Sequence, residues 1–293
     1  MTQPASGGRC PVFPKELERH VGPAIDRAVD WLLSEYGAAF DAVSGALLRV
    51  LLQVEALLRA VPWWLVIGAV GAVAWLLLRR WASALALMAL MYMIGMFGLW
   101  ALAMETMAII ITSVVLALVL GIPVGILMAE SDRVRAGLTP ILDAMQTLPS
   151  FVYLIPAMML FGLGKVPAVL ATLIYAVPPV IRLTDLGIRQ VSASVQEAAL
   201  AYGANRWQML REVRLPLALP SILAGVNQTT MMALAMVVIA SMIGARGIGQ
   251  EVLLSINRIE VGRGFEAGLS VVALAIVVDR LTQGFARRFE PPR

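Results

Sequence analysis

Four stretches of this chain, residues 60–78, 82–104, 106–129 and 217–245, contain no charged side chain. A helix needs about 20 such residues to cross roughly 30 Å of hydrocarbon, and in lipid each backbone amide must find its partner within its own segment. These stretches are therefore expected to be transmembrane helices in an all-α, polytopic membrane protein. Composition agrees: 14% of residues are charged and the mean hydropathy is +0.83, whereas a soluble globular domain carries roughly 25% charge.

Extending the pattern predicts about seven spans, at 60–78, 82–104, 106–129, 138–162, 166–182, 217–243 and 265–286. The expected organisation is an N-terminal tail over 1–59, two accessory spans within 60–104, a core over 105–286 and a short C-terminal tail over 287–293. In the N-terminal tail, Ile25, Val29, Leu32, Leu33, Tyr36, Phe40, Val43, Leu47, Val50 and Leu51 recur at helical spacing. That predicts an amphipathic helix lying on the membrane, on a partner or on the rest of the protein. Charges at Lys15, Glu16, Glu18, Arg19, Asp26 and Arg27 interrupt any apolar core of a signal peptide, so the tail is expected to be retained. Cys10 and His20 each stand alone, which predicts neither an intrachain disulfide nor a clustered metal site.

Orientation follows from arginine and lysine. With the N-terminus outside, the inner side holds Arg79, Arg80, Arg133, Arg135, Arg182, Arg189, Arg206, Arg211, Arg214, Arg287, Arg288 and Arg293. The outer side holds Arg49, Arg59, Lys165, Arg246, Arg258 and Arg263. The excess predicts an outside N-terminus and a cytoplasmic C-terminus. Trp63, Trp64, Trp75, Trp81 and Trp100 lie near expected span ends, where indole rings favour the headgroup zone. Pro149, Pro156, Pro178, Pro179 and Pro220 interrupt apolar segments, as kinks or as broken helices facing a water-filled path.

The longest connection between two expected spans, residues 183–216, has readable local chemistry. Ser194 with Glu197 has the spacing of a capping box, Gly203 suits a C-terminal cap that needs positive φ, and Asn205 with Gln208 can cap a second helix. Pro216 is expected to end that helix by pushing Leu215 out of the helical region. Ala198, Ala199 and Ala201 leave a small-residue face that another backbone can approach closely.

Within this segment, Glu197, Ala198, Ala199, Gly203, Val213, Leu215 and Pro216 reproduce the spacing E-A-A, three residues, G, nine residues, hydrophobic, one residue, L-P. That pattern resembles the "EAA" loop of ABC importer permeases; Val213 stands where isoleucine is commoner. The resemblance implies a cytoplasmic loop that docks on a partner ATPase and transmits its ATP-driven closure to the spans. A wider likeness covers roughly residues 95–285, through LDAMQTLPSFVYLIPAMMLFGLGKVP, YAVPPVIRLTDLGIRQV, LAGVNQTTMMALAMVVIASMIGARGIGQEVL and VVDRLTQ. These stretches are similar to the proline and glycine betaine uptake permeases. The likeness implies a permease homodimer, two copies of an ATPase and a separate binding protein, since no fused binding domain follows the last expected span. Alternating access is the implied mechanism.

The chain carries no phosphate-cradling motif of its own. Gly162-Leu-Gly-Lys165 lacks both the spacing and the hydroxyl residue, and no serine or cysteine triad can be assembled around His20. It is therefore expected not to be an enzyme and to bind no cofactor, ATP and magnesium residing on the partner. Asn227, Gln228, Thr229 and Thr230 form a polar step in an apolar segment, costly in lipid unless they face a helix or water, and are candidates for path or dimer contacts. Phe151, Tyr153 and Tyr175 offer aromatic faces that could attract a quaternary ammonium, or simply pack between helices. Asp143, near Pro140, suits a first helical turn, and Asp279 and Arg280 lie late in the last span, where they can pair or snorkel. Alternatives to a betaine solute are choline, carnitine or methionine; an ion-coupled carrier or a purely structural anchor would leave the EAA-like loop and the polar spans unexplained.

Overall fold

The computed structural model describes residues 22–289, which are helical almost throughout and contain no strand. The helices are α1 (Gly22–Ala60), α2 (Trp63–Leu78), α3 (Trp81–Met96), α4 (Trp100–Glu130), α5 (Asp132–Thr147), α6 (Leu154–Phe161), α7 (Lys165–Arg189), α8 (Ala193–Ala201), α9 (Arg206–Gln208), α10 (Leu215–Ala240), α11 (Ile248–Arg258) and α12 (Val261–Arg287). A π-helical turn, Met209–Arg214, joins α9 to α10 without a break, so one helix runs from Arg206 to Ile243.

α7 is the central element, packed along α4 on one side and α10 on the other. Of its apolar window 61% is buried within the chain, against 11% for α1. Lipid tails are as apolar as leucine, so helices in a bilayer associate through close packing, which small residues permit. Gly121 and Gly125 of α4 form such a pair. A Cβ on Gly125 would lie 2.6 Å from Cβ of Thr184 and 2.7 Å from the carbonyl oxygen of Ile181, both in α7. On the other face of α7, a Cβ on Gly187 would meet Cβ of Ser221 at 2.7 Å. The G-x-x-x-G spacing at 121–125 is a sequence signal for this contact that the reading above does not use.

Among the described residues, five helices are long and apolar enough to cross a membrane, or six if the bent pair around Pro149 counts as one span. The expected seven are not reproduced, for three physical reasons. First, the expected span 82–104 is divided at Gly98, whose φ of 71° ends α3 before α4 begins. That leaves α2 and α3 as a hairpin of 16-residue helices, each rising about 24 Å. Second, the expected span 138–162 bends by 110° between α5 and the turn leading into α6. Leu148, preceding Pro149, takes an extended ψ of 135° as a pre-proline residue must. Third, α1 is a continuous helix of 39 residues and passes the length and hydropathy test. It packs through its C-terminal half on α4, α6 and α7, burying the single stripe Leu47, Leu51 and Glu55. The end of that segment packs on the rest of the protein, while most of its surface is left uncovered by this chain; residues 1–21 of the tail, with Cys10 and His20, lie outside the described residues.

Of the five prolines expected to interrupt helices, only Pro149 marks a break. Pro156 stands in the first turn of α6, a position where proline is tolerated. Pro178, Pro179 and Pro220 are carried inside α7 and α10, whose flanks are held by neighbouring helices.

Candidate functional site

At one end of the bundle, α8 projects from the core with no buried residue. Its helix begins at Ala193 after Ser192, whose hydroxyl engages that of Ser194 at 2.7 Å rather than a backbone amide. The expected Ser194–Glu197 capping box is therefore not formed: Ser194 already lies inside the first turn, where its side chain cannot accept from the amide three residues on. Glu197 is exposed and makes no hydrogen bond or ion pair among the described residues.

The turn behaves as its residues dictate. Gly203 has φ 84°, and the amides of Gly203 and Ala204 donate to the carbonyls of Leu200 and Ala199 at 2.9 and 3.0 Å, a Schellman closure. Asn205 and Gln208 then form a reciprocal capping box, both bonds 2.9 Å. Pro216 does not end the helix as expected. Leu215 keeps helical angles, φ −63° and ψ −46°, and its amide reaches back to Leu210 in the wider π pattern. The regular i−4 ladder is already interrupted there, so the missing proline amide falls where it costs least. Leu215 packs with Leu210 on a small cluster of Ile188, Ala218 and Ile222, while Val213 is half-buried and Pro216 exposed.

The hairpin presents apolar side chains to its surroundings: Leu200, Trp207 and Tyr202, the last 94% exposed. Beside the exposed Ala198 and Ala201, this is an unpartnered apolar surface of the kind that marks a protein–protein contact.

One arginine connects this surface to the core and a second braces the helix ends beside it; in the sequence both serve only as orientation markers. Arg214, in the π turn, donates to Oε1 of Gln196 on α8 at 2.7 and 3.0 Å and to Glu130 at the end of α4 at 2.8 Å. Arg189, ending α7, bonds Asp185 at 2.8 Å, Asp132 at the start of α5 at 2.7 Å and the Met128 carbonyl at 2.7 Å. Arg135 also pairs with the buried Asp185 at 3.2 Å. Planar guanidinium groups with several donors are suited to holding three elements at once. Arg214 thus bonds α8 to the end of α4, while Arg189 holds the adjoining ends of α4, α5 and α7 together. Asp143, expected in a first helical turn, instead pairs with Arg182 from late in α5.

The polar step in α10 is divided among three environments. Asn227 accepts from the Thr282 hydroxyl of α12 at 2.5 Å, Gln228 is exposed, and Thr229 is fully buried with its hydroxyl unpartnered. Thr230 bonds the Val226 carbonyl at 2.8 Å. The aromatic residues also separate. Phe151 is exposed, whereas Tyr153 is buried, donates to the Met145 carbonyl and lies 6.0 Å from the half-buried Tyr175, centroid to centroid. Asp279 accepts from Gln283 at 2.7 Å and is not paired with Arg280.

At the opposite end of the bundle an ion cluster joins three helices. Lys165 of α7 meets Glu55 of α1 at 2.6 Å and Glu105 of α4 at 3.2 Å, and Arg59 pairs with both carboxylates. Glu105 and Glu55 are nearly inaccessible.

Comparison with known proteins bears on both ends of the molecule. A family model described as the binding-protein-dependent transport system inner membrane component matches residues 121–291. The chain is 44% identical over 263 residues to the glycine betaine/proline betaine transport system permease protein ProW of Escherichia coli, covering 90% of this chain and 74% of that one. It is 43% identical over 259 residues to the glycine betaine transport system permease protein OpuAB of Bacillus subtilis, covering 88% and 92%. Among solved structures, an inward-facing MetNI methionine ABC transporter superposes with a TM-score of 0.58 at 21% identity, over 64% of this chain and 94% of the other, which establishes the shared fold. The chain belongs to the binding-protein-dependent transport inner membrane components: it is a multi-pass permease subunit of an ABC importer.

Proposed function

We propose that this permease moves glycine betaine, proline betaine or a similar compatible solute inward, driven by ATP hydrolysis on a partner subunit. The observation that carries the coupling half of this reading is the exposed α8 hairpin, tied through Arg214 to the end of α4, beside the point where Arg189 joins α4, α5 and α7. The solute half rests on the extent of the likeness to betaine permeases, which spans about nine-tenths of the chain. Two permease copies pair in the membrane, a cytoplasmic ATPase dimer carrying ATP and magnesium receives the hairpins, and a separate binding protein delivers solute outside. Glu197, Ala198, Ala199 and Gly203 form the docking element, with Val213, Leu215 and Pro216 as its stem. Gln228 and Phe151, which face outward from this chain, serve path or dimer contacts, and Asn227, Thr229, Tyr153 and Tyr175 support them from within.

In this reading the hairpin and C-terminus are cytoplasmic, and the cluster around Lys165 faces outside together with the N-terminus, which requires that α1, ending at that cluster, lies against the bundle and does not itself cross the membrane. Cys10, the one cysteine, tests the last point. A membrane-impermeant maleimide added to sealed right-side-out vesicles is expected to label it; labelling only after permeabilisation would reverse the assignment.

The function itself is tested by uptake of labelled glycine betaine into vesicles holding this chain, its co-purified ATPase and the binding protein. ATP-dependent accumulation is expected. If no betaine moves while another solute stimulates ATP hydrolysis, the solute is wrong and the permease role stands; if no ATPase co-purifies, the coupling reading fails.

A further inference from the structure

The α2–α3 hairpin meets the end of α12 at a groove of about 480 Å³. Arg80, Arg280 and Arg287 form its rim, and Leu78, Leu87 and Ile276 contribute to its apolar wall. Arg79 and Arg288 stand beside them, the latter donating to the Leu76 carbonyl at 2.5 Å and so closing α12 onto α2. None of these five arginines makes an ion pair with a carboxylate among the described residues. α2 and α3 contain no acidic residue, and Asp279, one position before Arg280, is taken by Gln283.

Three features set the chemistry of an occupant. The concentration of unpaired guanidinium groups calls for an anion, and arginine forks match the oxygens of a phosphodiester. The exposed Trp75 and Trp81 flank the Arg79–Arg80 turn, which sets that turn at headgroup depth. From Arg80 to Leu90 the groove follows α3 for ten residues, about 15 Å at 1.5 Å per residue and so about one leaflet of hydrocarbon. Arg79 itself is held at φ 52°, a left-handed conformation that glycine would adopt without strain. Keeping an arginine there concentrates charge at the turn at the expense of backbone comfort.

We propose that this groove is a binding site for an anionic phospholipid, with its phosphodiester on Arg80, Arg280 and Arg287 and an acyl chain along Leu87 and Ile276. A bound lipid neutralises the arginine cluster and cements the α2–α3 hairpin to α12, at the same end of the bundle as the coupling hairpin. A zwitterionic lipid offers the same phosphate but adds a cation facing the guanidinium groups, so the site discriminates by net charge.

Native mass spectrometry of the purified permease–ATPase complex, titrated with dioleoylphosphatidylglycerol or dioleoylphosphatidylcholine, tests this. The wild type is expected to retain phosphatidylglycerol preferentially. Each cation near an anionic surface contributes about fivefold in affinity, so Arg80→Gln/Arg280→Gln/Arg287→Gln should weaken retention about a hundredfold. The corresponding triple lysine variant should stay within about tenfold, and Arg258→Gln/Arg263→Gln, at the other end of the bundle, should change nothing. If the triple glutamine variant does not assemble, Arg280→Gln alone, with its expected fivefold loss, decides the matter. Equal retention of both lipids, an unchanged glutamine variant, or displacement of the lipid by equimolar inorganic phosphate would each overturn the proposal.

Discussion

Gly203→Val is expected to lower ATP-driven uptake at least a hundredfold while leaving the membrane helices folded. Gly203 sits at φ 84°, where a β-branched residue clashes with its own backbone. The two Schellman bonds to Leu200 and Ala199 would open, and α8 would lose its fixed angle to the stem. Because α8 buries no residue, its disorder removes little packing from the core. Thermal unfolding of the purified chain should therefore shift by only a few degrees. ATP hydrolysis by the partner, if retained, should no longer respond to solute. Undiminished uptake in this variant would show that hairpin geometry does not carry the coupling. A large fall in Tm would show instead that the hairpin is part of the structural core.

The second large effect is expected at the opposite end. Lys165→Met leaves the carboxylates of Glu55 and Glu105 with Arg59 as their remaining partner. Removing one member of a buried charge group commonly costs about 3 kcal/mol or more, and here two buried carboxylates would be left to share one guanidinium. Here the cost falls on the junction of α1 with α4 and α7, since Glu55 is the last member of the buried stripe of α1. Expected results are a markedly lower Tm in detergent and faster proteolysis between residues 22 and 60. The double variant Lys165→Met/Glu105→Gln should recover most of the loss, because it removes a charge of each sign from the same site. Wild-type protection of α1 in the single variant would mean that apolar packing of Leu47 and Leu51, not the ion cluster, holds it.

The two ends of the molecule differ in what their charges accomplish. Around Lys165, buried groups lock α1 to the core. Around Arg189 and Arg214 the pairs are more accessible, with Asp132 and Glu130 substantially exposed. Exposed pairs are individually weak. A linkage that must shift during a transport cycle gains from bonds that water can replace, whereas a fixed helix junction gains from bonds that water cannot reach.

What the sequence determined by itself is local. The uncharged runs dictated helices, and the EAA-like spacing located the hairpin. Gly203 and the Asn205–Gln208 pair specified its turn, because each cap is decided among residues within about four positions of one another. Tertiary structure decided the rest. Ser194 failed as a cap because the helix had already started at Ala193, and Pro216 failed as a terminator because the stem adopts a π turn. Pro178, Pro179 and Pro220 stay inside helices because α4, α7 and α10 support one another, while Pro149 breaks the chain between α5 and α6. The number of spans, the docking of α1, and the arginine bonds from Arg214 to Gln196 and Glu130 and from Arg189 to Asp132 depend on residues up to 110 positions apart meeting in space. Local spacing records which hydrogen bonds a short segment can make for itself; it does not record which charge from elsewhere will arrive to complete them.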